Sequence, residues 1–198
     1  MRKFLLVLSL VALLFGTNIQ AKVLFDLHEQ YFNNTIVDKK GNYTAKGRYD
    51  LSNVFISTNT YFKNGSYYGH RDSPAHFSVD LKTPPAEWSV TISIWHRYKP
   101  NIIRISSSSG KSNIVTLDGK KTLSINDEKY EARIDEKTSQ ITFKYANQTM
   151  TIYFNGEAAF KEKQNDFNNL KKIEIQLGDS VFESDRGKLS SLQIFEGS

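Results

Sequence analysis

The sequence predicts an all-β chain folded as a two-sheet antiparallel sandwich, and three observations carry that prediction. Apolar and polar residues alternate with period two, most clearly across Trp88 to Tyr98 (WSVTISIWHRY) and Ile141 to Phe154 (ITFKYANQTMTIYF). This is the pattern of strands with one buried face. Pairs that tolerate positive φ, Asp118-Gly119 and Asn155-Gly156, fall between such segments where hairpins need them. An apolar sheet face has no stability until a second layer covers it, and alternation with closely spaced turns makes that layer another sheet.

Each element follows from local residues. Val23 to Leu27 (VLFDL) reads as the first strand. The Asn-, Gly- and Tyr-rich stretch up to Gly69 predicts irregular strands and long loops around short apolar pieces such as Val54-Phe55-Ile56. His76 to Leu81 alternates Phe77, Val79 and Leu81 against Ser78 and Asp80, and Pro84-Pro85 ends it because proline has no ladder N–H. In the next strand Val90, Ile92, Ile94 and His96 share one side, and Ser89, Thr91, Ser93, Trp95 and Arg97 the other. Strands follow at Ile102 to Ser106, Asn113 to Leu117, Thr122 to Ile125 and Tyr130 to Ile134. Ile141 to Phe160 is the organising meander, with Ile141, Phe143 and Tyr145, then Met150, Ile152 and Phe154, on the apolar side. Glu157 to Lys161 is its return strand. Asp166 to Asn169 reads as one short helical turn, and Lys171 to Leu177 and Lys188 to Phe195 are the last strands. About twelve strands result, with a core of Val90, Ile92, Ile94, Phe143, Met150, Ile152, Phe154, Ile173, Ile175, Leu192 and Ile194.

The first residues carry an address. Arg2 and Lys3 precede an apolar run from Phe4 to Phe15, and GTNIQA ends on the small Ala21. That layout predicts a signal peptide over 1–21, since the run falls short of the roughly 20 residues a membrane span needs. One domain over 22–198 is expected. With no cysteine, disulfides and a lipid-anchoring thiol are excluded, and a periplasmic or secreted bacterial location is expected. Losing Arg2 and Lys3 takes the formal charge from +5 to +3, and the remaining charges are scattered. Nucleic acid is therefore not expected as a partner, nor is a membrane span after cleavage. Asn-x-Ser/Thr sequons stand at Asn33, Asn42, Asn64 and Asn147 and would bear glycan only in a eukaryotic host.

Taken in order, three segments resemble the concanavalin A-like lectin/glucanase superfamily, in its laminin-G-like and pentraxin-like branch. They are the strand Trp88 to Tyr98, the hairpin Thr151 to Glu157 with its central Asn-Gly, and the closing strand Gly187 to Phe195 (GKLSSLQIF). The resemblance spans roughly Val23 to Phe195 and implies a jelly-roll β-sandwich. One departure is local: Lys137-Thr138-Ser139-Gln140 stands where the family places a Trp-His pair.

Enzymatic members of that superfamily use two carboxylates on one strand, in a Glu-x-Asp-x-x-Glu spacing. The nearest match here, Glu183, Asp185 and Lys188, ends on the wrong charge. No cysteine and no Gly-x-Ser-x-Gly supports nucleophilic hydrolysis, and His28, His70, His76 and His96 have no partner at metal-ligand spacing. The chain is thus expected not to be an enzyme. The family implies that calcium is admissible, with Asn126-Asp127-Glu128 and Asp179, Glu183 and Asp185 as acidic loops. Solvated acidic turns are the favoured explanation, since no fixed ligand spacing marks either loop, and no cofactor is predicted.

Two functions remain open, a lectin-like carbohydrate-binding domain and a protein-binding or structural domain of the envelope, so the expected partner is a glycan or an envelope protein. A sugar site needs an aromatic platform flanked by polar groups that orient hydroxyls. Trp95 with Thr91, Ser93 and Arg97 meets that description, with Tyr67, Tyr68 and His70 expected on a neighbouring loop. Packing of Trp95 beneath a covering loop is the alternative.

Overall fold

The tightest local geometry lies in the meander that begins at Ser139. Asn155 and Gly156 take φ of 49° and 87°, the left-handed pair of a two-residue hairpin loop. The same pair of conformations occurs at Asn147 and Gln148, with φ of 51° and 58°, although neither is glycine. Asn155 fastens its turn to the preceding strand. Its backbone N–H donates to the Gln140 carbonyl, and its Oδ1 accepts from the Gln140 N–H, each at 2.8 Å.

A computed structural model describes residues 22–26, 36–37, 43–46, 52–56, 60–63, 66–69, 75–81, 85–95, 100–118, 122–126, 128–130, 139–178 and 187–197. The first six segments are described as backbone only. Residues 1–21, expected to be a signal peptide, lie outside the described residues, as do His28, His70, His96 and Arg97. Among the described residues no helix is long and apolar enough to cross a membrane.

The N-terminal half contributes β1 (Lys22–Asp26), β2 (Ile36–Val37), β3 (Tyr43–Lys46), β4 (Ser52–Ile56), β5 (Thr60–Lys63), β6 (Ser66–Gly69), β7 (Ala75–Leu81) and β8 (Trp88–Trp95). The C-terminal half adds β9 (Asn101–Ser107), β10 (Ser112–Asp118), β11 (Thr122–Ile125), β12 (Glu128–Tyr130), β13 (Ser139–Ala146), β14 (Thr149–Phe154), β15 (Glu157–Lys163), β16 (Leu170–Leu177) and β17 (Lys188–Glu196). A 3-10 turn, Phe167–Asn169, precedes β16 where the sequence predicts a short helical turn. The expected first strand is β1, and the stretch up to Gly69, expected to hold irregular strands and long loops, supplies β2 to β6.

These strands form two antiparallel sheets. The first runs β15-β14-β13-β8-β17-β6-β5, with β1 also paired to β17. The second runs β12-β11-β10-β9-β16-β7-β4-β3-β2. Consecutive strands pair only in hairpins; β17 enters between β8 and β6, and β16 between β9 and β7. Every residue named above for the core is buried. Trp88, in the row of Val90 and Ile92, joins them and is fully buried.

Trp88 is also the pin of one end of the core. Its indole N–H donates to the Phe167 carbonyl at 2.8 Å. Its ring stacks on Tyr145 at 5.8 Å between centroids, and Tyr145 meets Phe167 at 6.5 Å. Burial pushes the Tyr145 phenol above its usual pKa, against the opposing pull of backbone hydrogen bonds from Asn168 and Phe167. The buried Asn113 donates to Gln164 Oε1 at 2.8 Å and accepts from Asn126 Nδ2 at 3.0 Å. That amide relay joins the two sheets, because Asn113 lies in β10 and Asn126 follows β11 of the second, and Gln164 follows β15 of the first.

Candidate functional site

Strand alternation leaves each sheet one outward row of side chains. On the first sheet, β8 turns Ser89, Thr91, Ser93 and Trp95 outward, each half-buried, while Trp88, Val90, Ile92 and Ile94 fill the core. The surroundings of Thr91 are hydroxyl-rich. It shares a hydrogen bond of 3.2 Å with the Thr142 hydroxyl, and Gln193 lies opposite it on β17. Ser93 faces Gln140 on one neighbour and Ser191 on the other. Trp95 lies opposite Lys188, whose ammonium sits 4.4 Å from the ring centroid. This cation–π contact occupies one ring face with a side chain rather than a loop.

The tyrosines expected on a loop are in β6, paired with β17. Tyr68 lies opposite Lys188, in the row of Trp95, whereas Tyr67 lies opposite Leu189, in the row of Ile94. The expectation of a loop is corrected by this pairing, since ladder hydrogen bonds hold the segment in the sheet and place consecutive residues in alternate rows. Thr91, Ser93, Trp95 and Tyr68 are therefore brought to one region of the sheet, and Tyr67 belongs to the adjacent row. His70 and Arg97 lie outside the described residues.

The outer face of the second sheet carries a feature that pattern reading missed. A cavity of about 470 Å³ is set where β7, β16 and β9 lie side by side. Its upper row is His76, Gln176 and Ile102; its lower row is Ser78, Glu174 and Arg104. Lys172 also lines it and pairs with Glu174 at 2.7 Å. The Arg104 side chain, although opposite Glu174 in register, makes no hydrogen bond or ion pair with a described residue, and that carboxylate is turned to Lys172. Ile102, with the buried Phe77 and Ile175, supplies the apolar part of the lining. Each strand's alternation is visible in the sequence; that these three strands are neighbours is not.

The described residues include no group of three or more His, Cys, Asp or Glu side chains able to hold a metal ion. Of the acidic loops proposed for calcium, Asn126 and Glu128 are described, whereas Asp127, Asp179, Glu183 and Asp185 lie outside the described residues.

Two antiparallel sheets, with the first described strand paired beside the last, form a jelly-roll β-sandwich. Solved structures of that fold resemble this chain at low identity. The carbohydrate recognition domain of Emp46p, in metal-free form, is 9% identical, with 73% of this chain and 88% of that one covered at a TM-score of 0.56. The carbohydrate recognition domain of Emp47p is 9% identical, with 89% and 98% covered at a TM-score of 0.54. The Ca²⁺-bound exoplasmic/lumenal domain of VIP36 is 9% identical, with 73% and 84% covered at a TM-score of 0.52. No family model and no curated protein matches the sequence.

Proposed function

We propose that this chain is a non-catalytic carbohydrate-binding domain that holds glycan in the cavity between β7, β16 and β9. The observation that carries the reading is that cavity, open on the strand face and lined by groups suited to hydroxyls. Ser78, Gln176 and Glu174 offer donors and acceptors, and Ile102 offers a small apolar contact. The similarity in fold to carbohydrate recognition domains supports the same reading. Binding rather than cleavage is favoured because Glu174 is the one carboxylate among the described lining residues, and two-carboxylate hydrolysis needs a pair. The proposal places the domain in the periplasm or outside the cell, on the strength of Arg2, Lys3 and the apolar run before Ala21.

A second reading puts the glycan on Trp95, favoured by a half-buried tryptophan among Ser93, Lys188 and the Tyr68 position on an outer face. There a sugar would displace Lys188 to stack on the ring. A glycan array followed by calorimetry on the best ligand decides between the faces. If the cavity is the site, Gln176→Ala weakens binding by about tenfold, about 1.4 kcal/mol, and Trp95→Ala does not. The reverse result moves the site to Trp95. Failure of every glycan to bind overturns the carbohydrate reading and leaves a protein partner as the function to test.

A further inference from the structure

Among the described lining residues of the cavity the charges are not balanced. Arg104 and Lys172 bring two cations to its lining, and Glu174 brings the single carboxylate among the described lining residues. The 2.7 Å bond between Lys172 and Glu174 consumes one of each. What remains is the Arg104 guanidinium, exposed and without a hydrogen bond or ion pair to any described residue. Asp80 lies opposite Lys172 on β7, on the far side of that ion pair from Arg104.

The position of that guanidinium is well supported. Arg104 projects from the middle of β9, a strand paired on both sides, with Ile103 and Ile105 buried beneath it. A planar fork of N–H donors on a rigid strand suits a planar oxyanion better than it suits a neutral hydroxyl, because two parallel charge-assisted bonds form at once. The side chains of Gln176 and Ser78 make no hydrogen bond with a described residue; Ser78 lies directly opposite Glu174 and Gln176 stands two residues along its strand, both on the same face. They supply the neutral donors and acceptors that the hydroxyls of such a ligand need. Apart from one anionic group, then, the ligand is a polyhydroxylated ring.

We propose that the cavity selects acidic saccharides, with Arg104 receiving the carboxylate of a uronic-acid residue. The proposal rests on the carbohydrate-binding reading above and adds the class of sugar. Because the contact is an ion pair at an exposed site, it weakens as salt rises, and a neutral sugar of the same stereochemistry forfeits it.

The test compares oligogalacturonate, oligomannuronate and glucuronate-containing oligosaccharides with their carboxyl-reduced counterparts, by calorimetry at low and at physiological salt. At least one acidic ligand is expected to bind about tenfold or more tightly than its reduced form, with the ratio shrinking as salt is added. Arg104→Gln brings that ratio close to one, and Arg104→Lys, which keeps the charge and loses the fork, leaves an intermediate ratio. Thermal melting of both variants checks that the fold is intact. Binding of acidic and reduced ligands with equal affinity overturns this inference and leaves the carbohydrate reading standing. A ratio that survives Arg104→Gln overturns the role of Arg104. No binding to any saccharide, acidic or neutral, overturns both readings together.

Discussion

Replacing Trp88 with phenylalanine tests whether the Trp88–Tyr145–Phe167 cluster pins the core end, and its cost is worked from the structure. Trp88 is fully buried, and its indole N–H is the donor held by the Phe167 carbonyl at 2.8 Å. Phenylalanine in the same rotamer still stacks on Tyr145 but leaves that buried carbonyl without its partner, a loss of about 1–3 kcal/mol. The smaller ring withdraws apolar contact worth roughly 1 kcal/mol. Together these predict a loss of about 2–4 kcal/mol, or roughly 5–15 °C in Tm for a domain of this size. Urea titration of the chain lacking residues 1–21 measures the difference, with an unchanged m-value showing that the same surface unfolds. Fluorescence gives an independent readout, because Trp88 and the half-buried Trp95 are the two tryptophans of the chain. Trp88→Phe should leave only the redder emission of Trp95, and Trp95→Phe only the bluer emission of Trp88. A stability loss below about 0.5 kcal/mol, within the range of neutral surface substitutions, would refute the cluster's role as the pin.

Three further outcomes are expected. Gln148, held at φ of 58° in a hairpin turn, sits where glycine carries no Cβ penalty; Gln148→Gly should raise stability by about 0.5–1 kcal/mol in a denaturant titration. At Gly187 an added Cβ would lie 2.2 Å from the Asn101 Oδ1 and 3.0 Å from the Gly178 nitrogen. Asn101 is fully buried and bonded to that nitrogen, so it has no room to yield, and Gly187→Ala should lower stability by about 1–3 kcal/mol. The Tyr145 phenol is raised above 10.0 in the fold, so its contribution to stability is fully present below that pH. It is lost as pH rises through the folded-state value, because the unfolded chain ionises first. Denaturant titrations should show a stability decline above pH 10 that is shallower in Tyr145→Phe.

Much of the fold is legible in single strands. WSVTISIW shows which residues of β8 go inward, because the period of two is a property of extended backbone and needs no partner to be read. The paired left-handed residues at Asn155 and Gly156 are likewise a local matter. Where the N-terminal region is polar and rich in tyrosine, alternation fades, and the sequence predicts only irregular strands and long loops over the stretch that holds β2 to β6. Their pairing comes from backbone ladders to β7 and β17, which carry no side-chain signature.

The candidate sites divide along the same line. Alternation on β8 by itself put Trp95, Ser93 and Thr91 on one outward row, and the structure keeps them there. That Lys188 covers a face of Trp95 depends on β17 entering beside β8, after a separation of more than ninety residues in the chain. The cavity lies further still from sequence reading. His76, Arg104 and Gln176 belong to three separate strands, each polar and outward-facing, and none forms a motif with its own neighbours. Which side of each strong strand faces the core can be read from its residues alone. Which outward rows adjoin is a matter of the fold, because strand order and register are settled by how two apolar faces pack on each other over long separations, through backbone hydrogen bonds that any residue can make.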